Sequence, residues 1–285
     1  MLVTTFLVAL WATAAVCQAQ ASVRCPLVFD GRIPSTVTNT VFDTASSPFN
    51  PEYVKGKDLA FSSMVSLPAS QASRFEENDT KAVGISINDE SIFQPGDPPG
   101  QLGFRRAEFL YKANNGTDAS ATGLKTVHWS VQLDPSKPLN LSHEYMMVWR
   151  ERNDFSANQF MFQTGSLLYN TSVPKDNWSV VGKTNNIIFT TPVSKDGWQN
   201  FAVSLDQDKN KLRVYYSVGN GQLKLVADSV VNDNSGGGQF HAGLLKKPTG
   251  TADVVNAGYQ ETGIDEGVIY GSLFVEDSAG QCVSL

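Results

Sequence analysis

Apolar and polar residues alternate with a period of two in run after run of this chain. The clearest runs are Ala82-Val83-Gly84-Ile85-Ser86-Ile87, Thr126-Val127-His128-Trp129-Ser130-Val131, Gln159-Phe160-Met161-Phe162-Gln163, Asn200-Phe201-Ala202-Val203-Ser204-Leu205 and Leu212-Arg213-Val214-Tyr215-Tyr216. Period two is that of a strand, whose successive side chains point to opposite faces, and the residues are the β-branched and aromatic types that pack on a pleated surface. Turn formers separate the runs at Gly96-Asp97-Pro98-Pro99-Gly100, Asn114-Asn115-Gly116, Asp134-Pro135, Val218-Gly219-Asn220-Gly221 and Asn234 through Gly238. Helical periodicity is nearly absent. The pattern predicts an all-β chain, and this many strands in one long stretch predicts two packed antiparallel sheets of β-jelly-roll type.

Composition bounds the function. Of 285 residues, 41% are hydrophobic, enough to fill one large core, and the net charge of -6 excludes a nucleic-acid or anionic-membrane partner, both of which need a basic surface. Residues 1–21 carry no Asp, Glu, Lys or Arg, and the apolar run Leu2 to Val16 is followed by the small-x-small triplet Ala19-Gln20-Ala21. This reads as a secretory signal peptide, too short to span a bilayer, leaving residues 22–285 as a single domain. A secreted, extracellular protein is expected. Cys17 would leave with the leader, so Cys25 and Cys282 are expected to pair, a bridge that also requires adjacent chain ends. Sequons at Asn78, Asn115, Asn140, Asn170 and Asn177 fit a glycoprotein. A monomer is expected.

The chemistry rests on carboxylates. His128, His143 and His241 are scattered without metal-ligand spacing, and there is no Gly-x-Ser-x-Gly elbow and no phosphate-cradling loop before a helix, so neither metal nor cofactor is expected. In Arg105 to Tyr111, Ala107, Phe109 and Tyr111 form one apolar face, which leaves Arg106 and Glu108 on the other. The same reading sets Thr126, His128 and Ser130 opposite Val127, Trp129 and Val131, and Gln159, Met161 and Gln163 opposite Phe160 and Phe162. Three neighbouring strands could thus share one polar strip. In His143 to Glu151 both parities contain apolar residues and the two glutamates fall on opposite faces. Glu144 runs with Met146 and Val148, whereas Glu151 runs with Tyr145 and Trp149, aromatic planes suited to a sugar. Glu151 is therefore the second candidate carboxylate, and Glu144 takes its place if a bulge reverses the parity. Each of these residues also has a bland reading: an exposed glutamate as an ion-pair partner of Arg106, His128 as a structural hydrogen bonder, Tyr145 and Trp149 as core, and the two glutamines as decoration of an outer strand.

The chain resembles the fungal β-glucanases of glycoside hydrolase family 131. The similarity runs through Cys25-Pro26-Leu27-Val28-Phe29-Asp30-Gly31-Arg32-Ile33-Pro34, Pro48-Phe49-Asn50-Pro51, Gly103-Phe104-Arg105-Arg106-Ala107-Glu108, Leu139-Asn140-Leu141-Ser142-His143-Glu144-Tyr145, Val148-Trp149, Ser156-Ala157-Asn158-Gln159-Phe160, Trp198-Gln199-Asn200-Phe201-Ala202 and Leu244-Leu245-Lys246-Lys247-Pro248-Thr249-Gly250. The resemblance implies one β-jelly-roll domain with an open cleft, acting on β-glucans with 1,3, 1,6 and 1,4 linkages. It carries a glutamate onto Glu108 and another onto Glu151, with a histidine at His128, and gives no role to His241. The expected enzyme is a β-glucan hydrolase in which Glu108 and Glu151 share acid and base or nucleophile work, tuned by His128 and Arg106, with Tyr145, Trp149, Gln159 and Gln163 at the substrate. An open groove that admits water favours inversion. Two rivals remain: a polysaccharide lyase neutralising a uronate with Arg106 or Gln159 and abstracting a proton with His128 or Tyr145, and a non-catalytic glycan binder using Trp149 and Tyr145 as platforms.

Overall fold

A computed structural model describes residues 21–51, 54–112, 116–195 and 197–285. Among them are sixteen strands and four short 3-10 turns, with no α-helix. The strands are β1 (Leu27–Asp30), β2 (Ile33–Pro34), β3 (Val65–Ser66), β4 (Thr80–Lys81), β5 (Val83–Asn88), β6 (Arg105–Leu110), β7 (Leu124–Leu133) and β8 (Glu144–Glu151). They continue with β9 (Asn158–Gly165), β10 (Asn177–Gly182), β11 (Ile187–Pro192), β12 (Gln199–Asp206), β13 (Lys211–Val218), β14 (Lys224–Val231), β15 (Gln239–Lys246) and β16 (Asp265–Asp277). Each of the five alternating runs falls in a strand, within a residue at its ends.

Two large antiparallel sheets result. One runs β14-β13-β12-β7-β16-β5-β3, with β1 also on β16, and the other runs β11-β10-β9-β8-β15-β6. The fold is the expected all-β jelly roll. Their facing sides supply one core, in which Val127, Trp129 and Val131 of β7 meet Phe160 and Phe162 of β9 and Phe201 and Val203 of β12. Trp129 stacks on Phe201 with ring centres 5.6 Å apart and meets Phe162 edge-on at 5.2 Å. Burial of side chains this size stabilises by roughly 1.5–3 kcal/mol each. The strand edge at β6 is closed by the preceding chain: the Asn50 and Glu108 amides donate to the carbonyls of Leu110 and Val54 at 2.9 and 3.0 Å, and the Arg106 amide donates to Ser91 at 2.7 Å. An edge bonded in this way presents no free ladder to another chain.

The outer face of the eight-stranded sheet is covered as well. Thr126, His128 and Ser130 do point away from the core, but onto a buried polar layer beneath the segment carrying Ser73 to Glu76 and the two chain ends. Thr126 shares hydrogen bonds with Ser204 and Ser278, and Ser130 donates to Asn200. Cys25 and Cys282 are joined there, their Cα atoms 5.9 Å apart. Of the sequons, Asn115 lies outside the described residues, Asn78 and Asn140 are exposed, and Asn170 and Asn177 are partly buried. Residues 1–20, nearly all of the proposed leader, also lie outside them. No helix among the described residues is long and apolar enough to cross a membrane.

The bridge closes a loop across 257 residues of sequence. Replacing both cysteines by Ser should lower the unfolding free energy by about 2–5 kcal/mol in urea titration, and thiol titration of the denatured, unreduced chain should find neither cysteine free.

Candidate active site

An irregularity in β8 selects the side chains on the outer face of the six-stranded sheet. Met146 pairs with Gln163 and Val148 with Phe162, so Met147 has no partner of its own on β9. Met147 and Val148 both turn into the core. Alternation is thereby reversed halfway along the strand: Glu144 and Met146 before the bulge, and Trp149 and Glu151 after it, all reach the same outer face. The pairing with β15 shifts at the same point, between Ala242 and Leu245. From the opposite sheet Tyr270 fixes the irregularity, its hydroxyl donating to the Gly243 carbonyl at 2.7 Å and lying 3.2 Å from that of Met147. Trp149, Met146, Met161, Val181, Leu245 and Phe104 form an apolar floor on this outer face.

Across that floor runs a line of charged groups on three adjacent strands. On β6, the Arg106 guanidinium grips Glu108 with two bonds, Nε to Oε1 at 2.6 Å and Nη2 to Oε2 at 2.9 Å. On β15, His241 Nδ1 lies 3.0 Å from Glu108 Oε2. An ionised carboxylate can only accept, so Nδ1 carries the hydrogen and donates it. His241 Nε2 then faces β8, where Glu151 Oε2 is 3.6 Å away, adjacent but beyond hydrogen-bond length. The imidazole lies flat on Trp149, the rings 4.7 Å apart and inclined by 10°. Gly243 makes room for this arrangement, since a Cβ there would come within 2.6 Å of Glu108 Cα and 3.0 Å of its Cγ.

The two glutamates are driven apart electrostatically. Burial alone would push the Glu108 carboxyl up, but the charge of Arg106 and the hydrogen bonds from His241 and Arg106 outweigh it and hold Glu108 below the usual range. The Glu108 side chain is 0% exposed and both its oxygens are bonded. Glu151 keeps 27% of its side chain exposed. Burial raises its carboxyl, and the nearby charges of His241 and Arg106 do not fully offset this. Thus Glu108 stays an anion fixed beneath the surface, while Glu151 holds its proton longer and faces solvent, the pattern by which paired carboxyls take different roles.

The other sequence candidates fall in different places. Glu144 reaches the same face as Glu151, contrary to the parity reading, but it is buried and engaged: Lys247 Nζ lies 2.5 Å from Oε1, Gln163 Nε2 donates at 2.7 Å and the Leu168 amide at 2.6 Å. Gln163 therefore reaches the outer face as read and serves Glu144. Tyr145 is a core residue, because the bulge lies between it and Trp149, and its hydroxyl donates to Glu266 at 2.7 Å. Trp149 is on the right face but 1% exposed under His241, a support rather than an open platform. Gln159 is buried, donating to the carbonyls of Asn234, Ser235 and Gly237 in the glycine turn. His128 is on the wrong sheet altogether. It stacks on Phe274 at 4.4 Å and bonds Glu276 at 2.9 Å, because alternation fixes the face of a strand and not the sheet the strand joins. His143 lies between the Lys247 carbonyl and Glu261. His241, given no role from sequence, occupies the centre of the line. Its signal was available in the parity of Phe240, Ala242 and Leu244, which marks His241 as outward. Among the described residues no group of three or more His, Cys, Asp or Glu side chains is placed to hold a metal.

Two consequences can be measured. Arg106→Ala leaves a buried carboxylate without its counter-charge and should cost about 3–5 kcal/mol near neutral pH. The penalty should shrink on acidification: a carboxyl held low in the folded state contributes stability above the unfolded value of about 4.3, lost as the pH falls through its folded value. Arg106→Ala should therefore lack the acid limb of that loss in pH-dependent urea unfolding. Gly243→Ala should destabilise by roughly 1–3 kcal/mol through overpacking against Glu108, whereas Gly197→Ala, where a Cβ meets nothing, should show only the smaller cost of its positive φ.

Residues 27–281 match the family model described as the glycoside hydrolase 131 catalytic N-terminal domain. The fold is similar to the crystal structure of a GH131 β-glucanase catalytic domain from Podospora anserina, with a TM-score of 0.68 and 16% identity over 88% of this chain and 96% of that one. It is also similar to the catalytic domain of the glycoside hydrolase family 131 protein from Coprinopsis cinerea, with a TM-score of 0.66 and 16% identity over 88% and 94% of the two chains. No curated protein sequence matches the chain. A family match across nearly the whole described chain, on a fold shared with both of these catalytic domains, identifies the chain as an enzyme: it belongs to glycoside hydrolase family 131.

Proposed function

We propose that the chain is a secreted β-glucan hydrolase, acting on 1,3-, 1,6- and 1,4-linked β-glucans, in which Glu151 gives the proton to the departing glycosidic oxygen. The line Arg106–Glu108–His241–Glu151 carries this reading. A general acid has to hold a proton and be reachable by substrate, and of the two paired carboxyls Glu151 is the one whose proton affinity is raised by burial and whose side chain is partly exposed. Glu108 has neither exposure nor a free oxygen, so it acts through His241: its anion holds Nδ1–H and turns the Nε2 lone pair outward, where it accepts a proton from the attacking water. Glu151 Oε2 and His241 Nε2 stand 3.6 Å apart, too close for a sugar ring between them, so this reading requires the Glu151 side chain to swing away as substrate enters, which sets the two roles on opposite sides of the bond. The same engagement of Glu108 disfavours a covalent glycosyl intermediate, because that carboxylate cannot attack an anomeric carbon. The proposed outcome is a single displacement with inversion. A lyase would need a cation free for a uronate, and Arg106 is spent on Glu108 and on Gln101 Oε1 at 2.8 Å. The named activity of the Podospora relative supports β-glucan as the substrate class.

Glu151→Gln should keep its fold, since among the described residues the Glu151 side chain makes only the long contact to His241, and should lose about 10²–10⁴-fold in kcat. Hydrolysis by the parent should fall as the pH rises through the raised Glu151 value, above the ordinary glutamate value of about 4.3, because the acid is then deprotonated. Reducing-sugar release across laminarin, pustulan, mixed-linkage and cellulosic glucans reads both effects, and proton NMR of the first product should show the inverted anomer. A Glu151→Gln enzyme with near-normal turnover on every glucan would remove the assignment.

A further inference from the structure

The hydrogen-bonded line does not end at Arg106. Its Nη1 reaches Gln101, and its guanidinium lies 5.4 Å above the Phe93 ring, both in the chain between β5 and β6. The next residue, Leu102, lines an open cavity of about 440 Å³ just beyond the β6 edge, a size within the usual range for ligand pockets of about 300–1,000 Å³. Lys57, Asp58 and Glu90 supply its charged walls. Leu59, Ile92, Pro99 and Leu102 supply an apolar side. None of the three charged side chains is engaged by a hydrogen bond or ion pair among the described residues, although the corresponding groups a few residues away are committed: Asp89 accepts from the Gly263 and Ile264 amides, and Arg105 donates to the Leu102 and Phe104 carbonyls.

The character of this lining selects an occupant. One cation and two carboxylates give a net negative wall, unsuited to a uronate, phosphate or other anion. Two carboxylates and an ammonium arranged beside an aliphatic surface match a neutral polyol, which offers hydroxyl donors and acceptors around an apolar C–H face. Position narrows the choice further. Glu151 lies opposite Gln239, Glu108 opposite Gly243 and Arg106 opposite Leu245, with His241 between the first two on β15, so the reacting line runs diagonally across strands spaced about 4.8 Å apart and points at the β6 edge on the side where Gln101 and Leu102 enter β6. A glucan lying along that line passes from the acid over the edge and into the cavity.

We infer that the cavity bounded by Lys57, Asp58, Glu90 and Leu102 is a substrate subsite that holds a glucosyl unit on the β6 side of the bond being cleaved. This rests on the proposed glucan hydrolysis and adds the direction in which the chain lies. The subsite contributes only when the substrate is long enough to reach it, so its signature is a dependence on chain length.

The test is hydrolysis of a ladder of purified β-1,3-glucan oligosaccharides by the parent chain and by Lys57→Ala/Glu90→Ala, with melting temperature measured for both. The parent should show a step in kcat/KM at the length that first fills the cavity. In the double variant that step should fall by about tenfold or more, as expected for the loss of two hydrogen bonds to a charged partner, with the shortest cleaved oligosaccharide and the melting temperature unchanged. Binding of the same ladder to Glu151→Gln, with and without the double change, should reproduce the step in Kd. An unchanged step in the double variant would overturn the subsite and leave the hydrolase reading standing. A parent that cleaves no glucan would overturn both.

Discussion

In β8 the chain places two successive side chains, Met147 and Val148, on the core side, and the outer face depends on that extra residue. Without it, regular alternation would send inward either Glu144 with Met146 or Trp149 with Glu151. The bulge has a definite support: the Tyr270 hydroxyl, arriving from the other sheet, takes up the Gly243 carbonyl beside the Met147 carbonyl. Packing in the core therefore determines which carboxyls are presented outside. A backbone irregularity of this kind is costly to leave unsatisfied, and a phenol between two tightly packed sheets satisfies it from the one direction water cannot reach.

The electrostatics follow from that geometry. Glu108 is removed from water but meets a bidentate guanidinium and an imidazole donor, so its charge is retained; Glu151 is half-removed from water and meets no donor at hydrogen-bond length, so its charge is discouraged. Two identical side chains acquire opposite proton affinities because one is paired and the other is only crowded. His241 connects them, held from below by Trp149 and from one side by Glu108. Rigid support on strands rather than loops keeps such distances fixed.

Much of the fold was legible in the sequence, because period-two alternation is a local property and the five alternating runs all became strands. Parity also placed Glu108 and Arg106 correctly, since β6 is regular along its length. It failed in β8, where the bulge left Tyr145 in the core and brought Glu144 to the face of Glu151; a continuous apolar stretch such as Tyr145 to Trp149 carries no local mark of where the register shifts. His128 was misplaced for a different reason: β7 belongs to the other sheet, and membership of a sheet is decided by long-range pairing with β12 and β16. Gln159 was lost to the glycine turn after β14, a contact across about seventy-five residues of sequence. His241 was readable by alternation alone, but a lone histidine among apolar neighbours is more often structural, and its place between Glu108 and Glu151 is what distinguishes it from His128 and His143, each of which also meets a glutamate.

The central claim is that the paired glutamates titrate in a fixed order, the buried one first. Carboxyl ¹³C NMR of glutamate-labelled protein across acidic pH, with Glu108→Gln and Glu151→Gln used to assign the two signals, reads that order directly. The account predicts that the Glu108 signal titrates below the ordinary glutamate value of about 4.3 and the Glu151 signal above it. A Glu108 that takes up its proton at higher pH than Glu151 would contradict it.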